Sequence, residues 1–172
     1  MNDRLDAFMR DAAGAGAIAI ALEVNGVKHK LEAEPRMTLA EALRGPLGLT
    51  GTKIACNRGA CSACTVWLDR EPICACMMLA IDVGARRVTT IEGLAEGERL
   101  HPVQEAFIAH DAFQCGFCTP GFIMSAAALL ARDPHPTRDA VKAALSGHFC
   151  RCGAYPKVFE ATLAAAGAAP ET

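Results

Sequence analysis

The stretch QCGFCTPG at positions 114–121 places two cysteines three residues apart, directly before a Thr-Pro pair of the kind that begins helices. Cys115 and Cys118 need two further thiolates to complete a four-ligand site, and Cys150 and Cys152 supply them later in the chain. A second set of four lies upstream, at Cys56, Cys61, Cys64 and Cys76. The sequence therefore predicts two four-cysteine sites, each in a small domain of its own.

Composition bounds the possible classes of protein. The chain has 172 residues, of which 52% are hydrophobic, and this allows a folded core in one ordinary domain or in two small ones. The formal charge is −2 and no run of basic residues occurs. The sequence therefore carries no footprint of nucleic-acid binding.

Nine cysteines are a high count that either disulfides or metals explain. The first six residues mix acids with bases, unlike a signal peptide, and the apolar run at 12–22 is too short to span a bilayer. We therefore expect a protein of the cytoplasm, without membrane association, whose thiols are kept reduced. Under that expectation, metal binding explains the cysteines better than disulfides do.

The first half of the chain predicts a sheet with one helix. Apolar residues alternate from Ile18 to Val24, which indicates a strand, and the pair Asn25-Gly26 predicts a hairpin into a second strand at 27–32. Thr38 and Glu41 form a capping box for a helix that runs to about residue 44. Further strands are predicted at 65–68, 72–76 and 87–91, giving an α+β fold.

The second half is predicted to be helical throughout. The expected helices cover 102–110, a segment with Thr119 as N-cap and Pro120 as first residue, a segment capped by Thr137, and a segment that begins at Pro156. Four helices of this length make a small bundle. We divide the chain into an extension at 1–16, a first domain at 17–92, a helical domain at 93–167 and a tail at 168–172.

The spacing of the first cysteine set is that of plant-type 2Fe–2S sites. Three ligands share one tight loop, where Gly59 allows the backbone to approach the cluster, and Cys76 comes from a neighbouring strand. A structural zinc site is the alternative, but zinc favours paired knuckles. Cys74 lies two residues before Cys76 on the predicted strand, so it either approaches the cluster or is a small buried hydrophobe; we favour the second.

The second set, Cys115, Cys118, Cys150 and Cys152, also favours a cluster over zinc. Only one residue separates Cys150 from Cys152, whereas tetrahedral zinc knuckles use at least two. Each pair precedes a predicted helix, whose positive N-terminal end would face a negatively charged cluster. Arg151 either offsets this charge or is simply solvated.

Together the two sets resemble the small iron–sulfur subunit of the molybdenum hydroxylases, the xanthine dehydrogenase/aldehyde oxidase family. The resemblance covers about residues 17–166. It rests on LGLTGTK at 47–53, ACTV at 63–66, TIEGL at 90–94 and QCGFCTPG at 114–121. Details around residues 100–115 and 150–155 resemble the bacterial aldehyde-oxidising branch most.

The resemblance implies a β-grasp 2Fe–2S ferredoxin domain followed by a four-helix 2Fe–2S domain. It also implies an electron-transfer role in the oxidation of an aldehyde or an N-heterocycle, with no substrate chemistry in this chain. The expected partners are a large subunit with molybdopterin, in its cytosine dinucleotide form, and a medium subunit with FAD. Gln114 matches a family residue that contacts the pterin, although an ordinary capping amide would explain it too.

Some residues depart from the family pattern. Ala55 and Ser62 stand where glycine is usual, Asp69-Arg70 replaces an Asp-Gly turn, and His148 replaces an asparagine. His148 could tune the second cluster or gate a proton, but we interpret it as a loop side chain. The other histidines, at 29, 101, 110 and 135, are expected to be surface or capping residues.

Two other functions stay open on the sequence. One is a free-standing ferredoxin with two clusters that shuttles between unrelated partners. The other is a binding module stabilised by zinc. Against the ferredoxin, the apolar helices and Gln114 suggest a bundle that docks on a partner.

Overall fold

A five-stranded mixed sheet forms the first half of the molecule, for which a computed structural model describes residues 16–168. The strands are β1 (Ile18–Val24), β2 (Val27–Ala33), β3 (Thr65–Leu68), β4 (Glu71–Cys74) and β5 (Arg87–Thr89). Their order is β2-β1-β5-β3-β4, and β1 pairs with β5 in parallel while the other pairs are antiparallel. Most of the predicted extension at 1–16 and of the tail at 168–172 lies outside the described residues.

One helix, α1 (Leu39–Arg44), packs across this sheet. Thr38 and Glu41 form the predicted capping box: the Glu41 amide donates to the Thr38 hydroxyl at 3.2 Å, and the Thr38 amide donates to the Glu41 carboxylate at 2.8 Å. Buried side chains of α1 join those of the strands in one core, with Leu22, Val66 and Val88 among them. A mixed sheet that holds a single helix in this way is the predicted β-grasp fold.

Four helices form the second half, as predicted: α2 (Pro102–Ala109), α3 (Thr119–Arg132), α4 (Arg138–Leu145) and α5 (Tyr155–Ala168). They enclose a separate core in which Phe107, Phe122 and Leu145 are fully buried. Thr137 caps α4 and His101 caps α2, as expected. Within residues 16–168, no helix combines the length and the apolar character that crossing a bilayer requires.

The Asn25-Gly26 hairpin is confirmed, and the side chain of Asn25 contacts the TIEGL motif at 90–94. Both residues have positive φ angles, of 51° and 78°, as a tight two-residue hairpin requires. The Asn25 side chain also exchanges two hydrogen bonds with Thr90, at 2.9 and 3.0 Å. A Cβ atom at Gly93 would lie 2.1 Å from the Asn25 side-chain oxygen, so the position needs glycine.

Several predicted boundaries were wrong, and the last helix begins at Tyr155 rather than at Pro156. The strand predicted at 72–76 ends at Cys74, and Cys76 lies in a 3₁₀ turn, Ala75–Met77. The strand predicted at 87–91 ends at Thr89, because a 3₁₀ turn begins at Ile91. Helix α3 begins one residue early, with Cys118 rather than Thr119 at the N-cap position.

The sheet and the bundle meet along α3. The indole N–H of Trp67 on β3 donates to the carbonyl of Met124 at 2.8 Å. At the start of α3, a Cβ atom on Gly121 would lie only 2.3 Å from the carbonyl oxygen of Ser62. The first turn of α3 therefore rests directly on the loop that carries the first cysteine set.

Candidate iron–sulfur sites

The first site is a loop between α1 and β3 that carries Cys56, Cys61 and Cys64, with Cys76 arriving from the turn after β4. The thiol of Cys61 is a neighbour of that of Cys56, and the thiols of Cys74 and Cys76 are neighbours of that of Cys64. Cys64 and Cys76 are buried, while Cys56 and Cys61 are half-buried. The structure therefore places the four predicted cysteines around one loop and the turn after β4, and their role as ligands stays a prediction.

Backbone amides of this loop point at the sulfur atoms. The Arg58 and Ala60 amides donate to Cys56 Sγ at 3.5 and 3.3 Å, and the Gly59 amide donates to Cys76 Sγ at 3.3 Å. Gly59 has a φ of 72°, which turns the backbone inward at little steric cost. The amide of Arg58, with smaller help from the Cys61 thiol, lowers the pKa of Cys56 to about 7.

This arrangement fits a 2Fe–2S cluster. Such clusters take four cysteine thiolates, which the four cysteines around this loop would provide, and hydrogen bonds to the sulfurs adjust their potential. The amide donors stabilise thiolate over thiol, which is the form that binds iron. Within residues 16–168, no group of three or more His, Cys, Asp or Glu side chains is arranged to hold a single metal ion.

Cys74 lies at this site rather than away from it. The neighbouring Cys64 thiol lowers the pKa of Cys74 to about 6, and Cys74, together with burial, raises the pKa of Cys64. The Cys74 side chain is half-buried. Cys74 packs against the core of the sheet domain, so our preference for a small hydrophobe stays a prediction. The reason for a shared face was wrong, because Cys74 ends β4 and Cys76 lies in the 3₁₀ turn that follows.

The second site is formed by two short segments, one before α3 and one before α5. The thiols of Cys118 and Cys150 are neighbours, and the Ala154 amide donates to Cys150 Sγ at 3.4 Å. Cys150 is buried, Cys118 and Cys152 are half-buried, and Cys115 is exposed. Gly116 and Gly153 turn the two segments with φ angles of 78° and 75°.

The pKa values of the neighbouring thiols Cys118 and Cys150 are shifted in opposite directions. Burial, with the neighbouring thiol of Cys150, raises the pKa of Cys118 to about 12. Burial also opposes ionisation of Cys150, but the Ala154 amide and the Cys118 thiol outweigh it and lower the pKa of Cys150. Four thiols with an amide donor at the N-terminal end of a helix again fit a 2Fe–2S cluster, by the same chemistry as the first site.

Gln114 is exposed and joins the two segments of the second site. Its side-chain amide nitrogen donates to the carbonyl of Cys152 at 2.9 Å. This bond holds the segment before α3 against the segment before α5. A contact with a pterin stays a prediction for Gln114.

His148 lies in the loop between α4 and α5, as interpreted from the sequence, but its side chain is buried. Its ring stacks on Phe122 with centroids 4.6 Å apart, and its Nε2 lies 2.7 Å from the Ser125 hydroxyl. Burial lowers the pKa of His148 to about 4, so the ring is neutral near pH 7. Arg151, between two ligands, is exposed.

The two sites are hydrogen-bonded to each other, which sequence reasoning missed. The Phe149 amide donates to the Cys61 carbonyl at 3.2 Å, and the Ser62 hydroxyl donates to the Gly147 carbonyl at 3.0 Å. Phe149 immediately precedes the ligand Cys150. The only sequence signal was indirect: Ser62 departs from the usual glycine, and its hydroxyl makes this contact.

Comparison with known proteins agrees with both sites. A family described as a 2Fe-2S iron-sulfur cluster binding domain matches residues 22–90, and one described as a 2Fe-2S binding domain matches residues 90–163. Each match contains one complete cysteine set. The domain boundaries at 17–92 and 93–167 stay predictions.

Curated relatives and a solved structure extend over most of the chain. The small subunit of nicotine 6-hydroxylase from Paenarthrobacter nicotinovorans is 45% identical over 87% of this chain and 90% of its own length. The iron-sulfur-binding subunit PaoA of the aldehyde oxidoreductase of Escherichia coli (strain K12) is 42% identical over 86% of this chain and 71% of its own length.

A structure of quinoline 2-oxidoreductase from Pseudomonas putida 86 superposes with a TM-score of 0.86 at 42% identity, covering 90% of this chain and 96% of the matched one. Similarity at this level covers both domains and both cysteine sets. The chain therefore belongs to the family of small iron–sulfur subunits of the molybdenum hydroxylases.

Proposed function

We propose that this chain carries single electrons from a molybdenum–pterin site in a large partner subunit to an acceptor in a further subunit. When bound, the two 2Fe–2S clusters supply one-electron redox chemistry. Cys115, Cys118, Cys150 and Cys152 hold the cluster nearer the pterin, and Cys56, Cys61, Cys64 and Cys76 hold the other. No residue of the chain is assigned a part in substrate chemistry.

The observation that carries this proposal is the hydrogen bond from the Phe149 amide to the Cys61 carbonyl. Cys61 is a ligand of the first site, and Phe149 is bonded directly to Cys150, a ligand of the second. A short path of covalent bonds and one hydrogen bond therefore joins the two sets of sulfur atoms. Zinc has no redox chemistry, so a zinc-stabilised module would not require such a path.

The surface around the second site supports docking of the large subunit. Phe113, Phe117 and Phe149 are 44%, 45% and 56% exposed, and each lies within two residues of a cysteine of that site. Exposed aromatic side chains in a cluster mark protein interfaces more often than free surface. A free-standing ferredoxin would leave these three rings in water.

The surface around the first site supports docking of the acceptor subunit, to which the electrons would leave the chain. Met77 is 64% exposed and follows the ligand Cys76 directly. Its side chain also lies against the ligand loop, since a Cβ atom on Gly59 would be 2.9 Å from it. We assign this side to the acceptor subunit, which would contain FAD.

Relatives with similar identity act on different substrates by name, one a nicotine hydroxylase and one an aldehyde oxidoreductase. We propose an aldehyde or an N-heterocycle as the substrate of the complete enzyme, and activity of the purified complex on members of both classes would assign it. All nine cysteines are free thiols, and we propose the cytoplasm as the compartment of the assembled complex.

The testing experiment is purification of the chain from its own cells with its bound partners. We expect about four irons per chain, two for each cluster, together with molybdenum and flavin. Electron paramagnetic resonance after reduction with dithionite should then give two distinct S = 1/2 signals. One signal without molybdenum would favour the ferredoxin shuttle, and stoichiometric zinc without a signal would establish the zinc module.

A further inference from the structure

Tyr155, the first residue of α5, reaches back to the segment that carries Cys150. Its hydroxyl oxygen accepts from the Cys150 amide at 2.8 Å, and the hydroxyl donates in turn to the His148 carbonyl at 3.4 Å. The first bond has an ordinary length, and the second is the weaker of the two. Cys150 and His148 flank Phe149, so one side chain holds the backbone on both sides of that residue.

The peptide group between His148 and Phe149 is bonded at both of its polar atoms. Its carbonyl accepts from Tyr155, and its amide donates to the Cys61 carbonyl at 3.2 Å. A chain of hydrogen bonds therefore runs from the Cys150 amide through the Tyr155 hydroxyl and this peptide group to Cys61. Bonds in such a chain polarise one another, so the loss of one weakens the next.

Phe149 depends on these bonds for its position. Its ring is 56% exposed, so in this chain the ring does little to anchor the backbone that carries it. Its amide points the other way, into the contact with Cys61. The Tyr155 hydroxyl therefore lets Phe149 present its ring at the surface while its amide stays on the first ligand loop.

The ring of Tyr155 is held independently of its hydroxyl. It meets Phe122 of α3 edge to face, with centroids 6.1 Å apart, and lies 6.3 Å from the ring of Phe159, one turn along α5. A ring with these aromatic neighbours should stay in place when only the oxygen is removed. A phenylalanine at position 155 would therefore isolate what the hydroxyl does.

We propose that Tyr155 is a positioning residue for electron transfer between the two sites: its hydroxyl holds the backbone on both sides of Phe149, so that the Phe149 amide keeps its bond to Cys61. The step that it serves moves one electron from the second site, which is oxidised, to the first, which is reduced. The inference rests on the proposed function, because it requires a cluster at each site.

Tyr155→Phe in the complete complex tests the proposal. Hydrogen–deuterium exchange, resolved at single residues, should be about fivefold faster at the Phe149 and Cys150 amides than in the wild type, the factor expected for the loss of one hydrogen bond. The rate of electron transfer between the two clusters should fall in the same variant. Rapid-freeze electron paramagnetic resonance after a one-electron pulse measures that rate.

Thr162→Val is the matched control. Thr162 is also a buried residue of α5, but its hydroxyl donates to the Val158 carbonyl within the same helix, at 2.8 Å. The control should keep both the exchange rate of the Phe149 amide and the rate of electron transfer of the wild type. Equal changes in the two variants would show that the loss of any buried hydroxyl of α5 has this effect, and would overturn the proposal.

Redox titration of the same complexes separates an effect on the path from an effect on the driving force. Unchanged exchange at Phe149, an unchanged transfer rate, or a shifted midpoint potential that accounts for the slower rate would each overturn this inference alone. A Tyr155→Phe complex without its second cluster would do so too, because the cysteines and not the hydroxyl are to hold the cluster. A wild-type complex whose two clusters exchange no electrons would overturn the proposed function itself.

Discussion

The backbone amide of Phe149 donates a hydrogen bond of 3.2 Å to the carbonyl of Cys61. This bond places Phe149, which precedes Cys150 of the second site, against Cys61 of the first site. The adjacent Ser62 repeats the connection through its hydroxyl, which donates to the Gly147 carbonyl at 3.0 Å. The ligand loops themselves therefore form part of the contact between the two domains, together with α3, and changes in that contact should affect both stability and electron transfer.

The first prediction concerns Ser62, which has a positive φ of 55°. Ser62→Ala removes the hydrogen bond to Gly147 and keeps the strained backbone, so we expect it to lower the free energy of unfolding by about 1 kcal/mol. Ser62→Gly loses the same bond but relieves a strain of about 1 kcal/mol, and should lie close to the wild type. Thermal unfolding of the loaded protein measures both; a glycine variant less stable than the alanine variant would contradict the argument.

The second prediction concerns Gly121 in the first turn of α3. A methyl group there would lie 2.3 Å from the Ser62 oxygen and 3.1 Å from the Cα atom of Ala63, both of which are backbone atoms that cannot rotate away. Gly121→Ala must therefore push α3 off the first ligand loop, at a cost of about 1 to 3 kcal/mol. Electron transfer between the two clusters should slow as well, and rapid-freeze spectroscopy measures its rate.

Gly167 provides the matched control for Gly121. It also lies in a helix, but nothing stands within 4 Å of an added Cβ atom. Gly167→Ala should be neutral or stabilise the protein by up to about 1 kcal/mol, because alanine is the better helix former. Equal losses in the two variants would show that the close approach at Gly121 does not matter.

Local signals were sufficient to predict much of the fold from the sequence. The capping box of Thr38 and Glu41 and the turn at Asn25-Gly26 involve groups a few residues apart, so sequence neighbours decide them. The same holds for the cap at Thr137. The spacing also predicted that Cys56, Cys61 and Cys64 share one loop, as they do, because they are close in sequence; the role of both sets as cluster ligands stays a prediction.

The errors occurred where distant groups decide the structure. Cys76 leaves the predicted strand for a 3₁₀ turn, and its sulfur accepts from Gly59, far away in sequence. Helix α3 begins early because the Thr119 amide closes a turn onto the Gly116 carbonyl at 3.3 Å, which gives Cys118 a helical backbone. The burial of His148 depends on Phe122 and Ser125 in another helix, which no local pattern reveals.

The third prediction is a dependence on pH through His101. Its Nδ1 accepts from the Val103 amide at 3.2 Å and so caps α2, while burial lowers the pKa of His101 despite the opposing charge of Glu96. A lowered pKa in the folded state means that the unfolded chain binds the proton more readily. The stabilisation is therefore complete above the ordinary value of 6.5 and is lost as the pH falls below it.

His101→Asn gives the control, because an asparagine caps a helix without titrating. Between pH 7.5 and 5.5 the wild type should lose about 1 kcal/mol more of its free energy of unfolding than the variant does. Subtracting the free energy of unfolding of the variant from that of the wild type cancels the pH dependence that other groups cause in both proteins. Parallel stability curves for the two would show that His101 has no such role.

The fourth prediction concerns the exposed aromatic side chains at the second site. Phe117→Ser should weaken binding of the large subunit by about 2 kcal/mol, or about thirtyfold in Kd, as expected for a buried aromatic anchor. Val27→Ser is the matched control, since Val27 is 55% exposed but lies on the edge strand of the sheet. Binding of both variants to the separated large subunit, followed by calorimetry, distinguishes them. A Val27 variant as weak as the Phe117 variant would place the interface elsewhere.

The fifth prediction concerns the independence of the two sites. Cys118→Ser removes a ligand of the second cluster that packs against the helical core, so the second signal in electron paramagnetic resonance should disappear. The helical domain should lose more stability than the ~1 kcal/mol of a single hydrogen bond, because the thiolates also tie α3 to α5. The first signal should persist, because its four ligands and its core belong to the sheet domain. Cys56→Ser should show the reverse pattern, and loss of both signals in either variant would mean that the two domains do not fold as separate units.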